Sequence, residues 1–584
     1  MEEVWNLKDV LKGKTVEELL EEAKKKVEAF KSLRKNLKPQ MSAVDLKSIL
    51  HLKEELGVLL TRIESYHYLK FYEKINNSKV LAKLSFLNQL FTEYNNDLLF
   101  FSLWFIDLEE KQADKFIQSP QLSDYKYYLS FLRRLKPYTK SEEIERVISL
   151  KSITGKAAFS SLFDIITGEF KFDFNNKKEL SQEEVVVNYE SDNASLRELA
   201  YKTVLTKYDE NGVVLTEIFK NVVLDWYNEG INIRRYKHPI SIRNLSNDVD
   251  DEVVETLLRV IKKNISLFSE YFKIKYELNK KSGQRYKFSR FHLYAPYKSG
   301  KKKVYNYEKS KQLVLEAYKE FDERFYKAAK EIFDQKHVHS HPQKNKKSGA
   351  FCFSLDNKST PYILLNHSNS LRDLFTMMHE FGHGIHGVFS RKQVNLLYNA
   401  SLPMAETASI FGEMILTSKI LKKSKNKEEK KSVLVYLIDR NYATIIRQAY
   451  FVYFEKFAHE NIIKGITKEE LDEKYFSLLK EQFGEMEVST LFKHEWNYIP
   501  HIHTSPFYCY AYAWGNLMVL SLYSMYQKQG AEFIDKYVDI LSAGGGKAPI
   551  NILKEAGIDP TSELFWQEGF DMIKEEIEEL KRLI

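Results

Sequence analysis

The sequence predicts a mainly α, multi-helical fold with one small β-sheet. Three observations point there. Only 22 glycines and 12 prolines occur in 584 residues, too few for an all-β chain full of tight turns. Apolar residues recur at helical spacing over most of the length. β-prone runs are confined to a few short stretches. With 43% hydrophobic and 14% aromatic residues, disorder is excluded as the main theme, and the length corresponds to about three or four domain-sized units.

The first helix is announced by Thr15 and, three residues on, Glu18, a capping box. Val16, Leu19, Leu20, Ala23, Val27 and Phe30 then mark its buried face. Leu46, Ile49, Leu50, Leu56, Leu60 and Ile63 continue the period, giving an antiparallel helix array. From about 136 to 176 the pattern is more mixed, and the alternation Phe170, Phe172, Phe174 reads as a short strand. The polar run 175–193 is the best boundary by composition. Helices resume from Ser195 and give way to a Gly-, Lys- and Tyr-rich loop over 280–306. GAFCFSL and PYILLN, separated by the polar turn DNKST, predict two paired strands. Helices dominate from there on. Gly544, Gly545 and Gly546 are followed by Lys547 but not by Ser or Thr, so they read as a turn rather than a phosphate loop.

A net charge of +7 with both signs interspersed does not imply nucleic acid. The lysine clusters Lys301, Lys302, Lys303 and Lys344, Lys346, Lys347 read as solvated loops, with no alternating aromatics of the kind single-strand binders use. Cys352 and Cys509 cannot form a disulfide framework. The start, MEEVWNLKDV, is acidic and not apolar, and the apolar stretch Leu98–Ile106 is too short to span a bilayer. The expectation is a cytoplasmic protein with no membrane partner.

The chemistry is concentrated in LRDLFTMMHEFGHGIHGVFS. His379, Glu380 and His383 form His-Glu-x-x-His, and on a helix four residues turn through about 400°, so the two imidazoles share one face. Neutral imidazoles, with one further ligand, suit a tetrahedral zinc that keeps a position open for water. Two other His-Glu pairs, His459-Glu460 and His494-Glu495, have Ile463 and Tyr498 where the second histidine would stand. The extended His-x-x-Gly-x-x-His form fails, since position 386 is His rather than Gly and position 389 is Phe. Glu406, 23 residues after His383, is the candidate, on a second helix whose first turn takes Pro403. Glu413 lies seven residues further along, on the same face, as an acceptor for a ligand imidazole. His386 reads as a packed histidine. His337, His339 and His341 read as one side of a partly exposed strand.

A second region, PHIHTSPFYCYAYAWG, gathers His501, His503, Tyr508, Tyr510 and Tyr512. Phenol or imidazole donors can hold a developing oxyanion, and the same residues could equally be core aromatics.

HEFGHGIH, AETASIFGEM, GAFCFS with PYILLN ahead of the helix, PHIHTSPFYCYAYAWG and AGGG together resemble, in order, the M3 family of zinc metallopeptidases, most closely its oligoendopeptidase F group. The likeness spans roughly 195–580, with a weaker one over 115–185. It implies a two-lobed helical metallopeptidase with its small sheet next to the metal helix and a central channel for oligopeptides. It also implies an N-terminal helical region (1–114), an oligopeptidase-type helical domain (115–194) and a zinc-dependent catalytic domain (195–584). His379, His383 and Glu406 match the ligands of one zinc per chain, and Glu380 the general base. Tyr512 and His503 match oxyanion donors, with His503 favoured over His501, while Tyr508, Tyr510 and His501 fall among substrate-binding positions. Gly515 stands where more distant members place another tyrosine. PYILLN is expected to pair with the substrate backbone. The alternatives are a peptide-binding protein with a structural zinc and, less favoured, a thiol protease using Cys509.

Overall fold

The computed structural model describes residues 3–297 and 304–584; the cluster Lys301, Lys302, Lys303 lies outside them. The fold is mainly helical. Five short strands occur among the described residues: β1 (Phe172–Phe174), β2 (Lys177–Leu180), β3 (Val338–His339), β4 (Phe351–Phe353) and β5 (Tyr362–Leu364). The chain divides into two compact units, each assembled from three separated stretches.

The first unit comprises Met1–Arg146, Lys303–Lys419 and Gln529–Gly557. Its N-terminal part is a helix array. Thr15 accepts from the Glu18 N–H and Glu18 reaches back to the Thr15 N–H, so the Val16–Ser32 helix starts where its capping box predicts. Val27 and Phe30 of that helix share a core with Leu46, Leu50 and Ile63 of the Ala43–Glu73 helix and with Phe101 and Phe105 of Ser78–Asp107. The same unit holds a three-stranded sheet in the order β3-β5-β4. β5 runs parallel to β3 and antiparallel to β4, with Cys352 opposite Ile363. The two paired strands predicted from GAFCFSL and PYILLN are therefore present, and PYILLN is the central one. Its ladder positions are taken on both sides, so it cannot accept a substrate strand; the edges of the sheet are β3 and β4.

Two further readings change here. His337 and His339 are buried, His337 stacked on Tyr362 with ring centroids 3.8 Å apart, rather than partly exposed. Lys346 is also buried, and its ammonium donates to the carbonyls of His339, His341 and Leu365 at 3.2, 2.7 and 2.6 Å. A lysine with all three donors spent on backbone is a clamp on the sheet's end, not a solvated loop residue.

The second unit comprises Val147–Lys302, Ile420–Lys528 and Ile558–Ile584. The polar run after Phe174 is structured: Asn175 and Asn176, with φ of 50° and 64°, make the two-residue turn that a twisted hairpin requires and join β1 to β2. At the centre of the unit Glu495, 2% exposed, accepts from Arg290 at 2.9 Å, Arg447 at 3.3 Å and the Tyr475 hydroxyl at 3.0 Å. A buried carboxylate is tolerable because every side of it is answered.

Candidate active site

The Leu371–Phe389 helix begins at Ser370, which accepts from the Asp373 N–H while Asp373 returns the bond. It carries His379, Glu380 and His383 into one cleft of about 450 Å³ lined also by β4 residues Phe351, Cys352 and Phe353 and by Glu406. The helix can lie so close to its neighbour because residue 382 is glycine. A Cβ there would stand 2.4 Å from Ser409 Cα and 2.5 Å from the Ala408 carbonyl.

Glu406 is not inside one continuous helix with Glu413, as the sequence suggests. The Leu402–Ala405 turn of helix ends just before it, and the next helix runs Thr407–Lys423. Pro403 does occupy the first turn. At this junction the Ser409 hydroxyl donates to Glu406 Oε2 at 2.8 Å, which aims the carboxylate at the histidines.

The three candidate ligand atoms form a near-equilateral triangle. His379 Nε2 lies 3.2 Å from His383 Nε2 and 3.3 Å from Glu406 Oε2, and His383 Nε2 lies 3.5 Å from the same oxygen. Tetrahedral bonds of about 2.0–2.2 Å place donor atoms about 3.3–3.6 Å apart, so the triangle has the dimensions of one face of a zinc tetrahedron. His379 Nδ1 meets Glu413 Oε1 at 2.5 Å, and Glu413 is 2% exposed. A carboxylate only accepts, so the proton sits on Nδ1 and the Nε2 lone pair is left for a metal. Among the described residues this is the group of three His, Cys, Asp or Glu side chains placed to hold an ion. His386 lines the cleft but is buried, with its pKa lowered to about 4 chiefly by that burial.

In the second unit, the predicted donors separate into two sets. His501, Tyr508 and Tyr512 are half-buried and touch one another. The Tyr512 hydroxyl hydrogen-bonds His501 Nε2 at 3.2 Å, and the Tyr508 ring stacks on His501 at 5.4 Å. His503, favoured from the sequence, is instead fully buried. It is sandwiched by Phe163 at 4.2 Å and Trp496 at 5.9 Å, and burial lowers its pKa to about 4. Tyr510 is fully buried as well, its hydroxyl accepting from Asn247 at 2.7 Å. Both are closed off from solvent. Cys509 is also fully buried, and burial pushes its thiol up, the reverse of what a nucleophilic cysteine needs.

Cys352 and the β4 edge are cleft features that motif reading did not single out. The signal was there: GAFCFS is a β-prone run that pairs with PYILLN, the strand leading into the metal-type helix.

Comparison with known proteins accords with this architecture. A sequence model of peptidase family M3 matches residues 187–572, and one described as oligopeptidase F matches 104–172. The chain belongs to peptidase family M3, in its oligoendopeptidase F group. Oligopeptidase PepF of Bacillus subtilis is 26% identical, the match covering 100% of this chain and 87% of that one. An oligoendopeptidase F homolog of Borreliella burgdorferi is 27% identical over 95% of this chain and 94% of its own. Among solved structures, oligoendopeptidase F from Enterococcus faecium superposes with a TM-score of 0.73 at 22% identity, covering 97% of this chain and 98% of that one. Membership makes this chain a peptidase acting on oligopeptides and implies a metal ion. No helix among the described residues is long and apolar enough to cross a membrane.

Proposed function

We propose that the chain is a zinc-dependent endopeptidase that hydrolyses internal peptide bonds of oligopeptides, with Glu380 as general base. The observation that carries this reading is the triangle of His379 Nε2, His383 Nε2 and Glu406 Oε2, with sides of 3.2 to 3.5 Å, in a cleft that also contains Glu380. Two imidazoles and one carboxylate are a donor set that zinc favours, and three protein ligands leave a position open. When bound there, zinc supplies Lewis acidity, polarising a carbonyl and lowering the pKa of water.

Glu380 takes the proton from the attacking water and delivers it to the leaving nitrogen. Its place beside β4 supports this, because a peptide adding to that free edge as an extra strand brings its carbonyls into the same cleft. Glu413 keeps His379 in the ligating tautomer. Tyr512 and His501 serve as donors to the oxyanion and Tyr508 binds substrate. His501 takes the part expected of His503, since it is the histidine that is bonded to Tyr512 and half-exposed. Residues 195–584 would form the catalytic domain, 115–194 the oligopeptidase-type domain and 1–114 an additional helical region. We place the enzyme in the cytoplasm, in keeping with a chain of two cysteines.

The test is cleavage of internally quenched oligopeptides by the wild type, by Glu380→Gln and by protein stripped with a chelator and then given zinc. Glu380→Gln should bind zinc normally and lose about 10²–10⁴-fold in kcat, while zinc should restore the stripped enzyme. Full activity of a zinc-loaded Glu380→Gln would overturn the mechanism. Tight peptide binding by the wild type without cleavage would favour a zinc-stabilised binding protein.

A further inference from the structure

Phe507 has φ 57°, a left-handed backbone that costs a non-glycine residue about 1–3 kcal/mol. The amide preceding it is gripped at both ends. Arg243 Nε donates to the Pro506 carbonyl at 3.0 Å, and the Phe507 N–H donates to Glu455 Oε1 at 2.7 Å. Turning this one peptide plane over would carry Phe507 to a φ near −120°, ordinary for any residue. The two side chains oppose that relaxation, since a flipped amide would turn its N–H towards the guanidinium and its carbonyl towards the carboxyl.

The grip is made at some expense. Glu455, on the Arg447–Asn461 helix, is 1% exposed, and burial raises its pKa to about 8. One turn on, His459 packs its ring on Phe507 with centroids 4.5 Å apart. A carboxyl removed from water to meet a single loop N–H calls for a reason. The next residue supplies it. Tyr508 stacks on His501 and lies 5.3 Å from the Tyr512 ring, so its position depends on the strained turn that precedes it.

We propose that Glu455 is a positioning residue, acting with Arg243 to hold the Pro506–Phe507 amide in the orientation that presents Tyr508 to the substrate. The proposal rests on the reading of Tyr508 as a substrate-binding donor.

The experiment is a double-mutant cycle on the zinc-loaded full chain, with kcat and KM measured on a quenched oligopeptide. Glu455→Ala is expected to lower kcat/KM about tenfold, matching Tyr508→Phe, and to cost nothing further in the Tyr508→Phe background. Glu455→Gln keeps an acceptor for the Phe507 N–H and should stay within about threefold of wild type. Hydrogen exchange at the Phe507 amide should quicken in Glu455→Ala and not in Glu455→Gln. An equal loss from Glu455→Ala in both backgrounds, or unchanged exchange at Phe507, overturns the proposal while leaving Tyr508 its role. An inert Tyr508→Phe removes that role and the proposal with it. Should Glu455→Ala fail to fold, the half-buried Arg243, as Arg243→Met, goes through the same cycle with the same expectations.

Discussion

His379 Nδ1 and Glu413 Oε1 lie 2.5 Å apart, and this contact fixes which nitrogen of the imidazole faces the cleft. Glu413 is also near-fully buried, so it has no water to turn to if the bond is lost. Glu413→Gln can point its amide N–H₂ at Nδ1 and shift the proton to Nε2, the atom needed for the metal. Zinc affinity should fall about 10–100-fold, measured by competition with a chromogenic chelator, and excess zinc should recover most of the activity.

Gly382 is set by the approach of two backbones rather than by its own conformation. In Gly382→Ala the new methyl would meet Ser409 Cα and the Ala408 carbonyl, neither of which is the end of a flexible side chain. The substitution should destabilise the protein by about 1–3 kcal/mol and move Glu406, three residues before Ser409, away from the histidines. Thermal unfolding and zinc affinity should therefore drop together.

His501 and His503 should behave oppositely. His501→Ala removes the partner of the Tyr512 hydroxyl and should lower kcat with little change in Tm. His503→Ala leaves a cavity between Phe163 and Trp496, costing about 2–4 kcal/mol, with activity per folded molecule retained.

The same histidine gives a pH signature. The folded pKa of His503 is lowered to about 4, whereas the unfolded chain takes up that proton near pH 6.5. The unfolded state thus binds more protons between those values, and stability falls as the pH drops through that window. His503→Phe should reduce this loss, read as a shallower decline of Tm between pH 6.5 and 4.

Lys346→Met should leave the carbonyls of His339, His341 and Leu365 without their shared donor. A cost of about 2–3 kcal/mol is expected, seen in chemical denaturation, while Lys344→Met on the exposed side of the same loop should be close to neutral.

Local spacing determined much of this protein. Thr15 and Glu18 cap the helix they announce, β4 and β5 pair as their runs suggested, and the four-position spacing of His379 and His383 places both imidazoles on one helical face whatever the rest of the chain does. Long-range packing decided the remainder. Residues 500–504 form a turn of helix, so His501 and His503 are about 200° apart and cannot both face a substrate, although an extended chain would point them the same way. Tyr510 and Tyr512, at the start of the Tyr510–Gln529 helix, separate for the same reason. Which member of each pair is buried depends on Phe163 and Asn247, residues distant in sequence, together with the nearer Trp496. Strand order is equally non-local: PYILLN is as β-prone as GAFCFS, and only the pairing of β3 on its far side makes it the centre of the sheet and leaves the edge beside the cleft to β4.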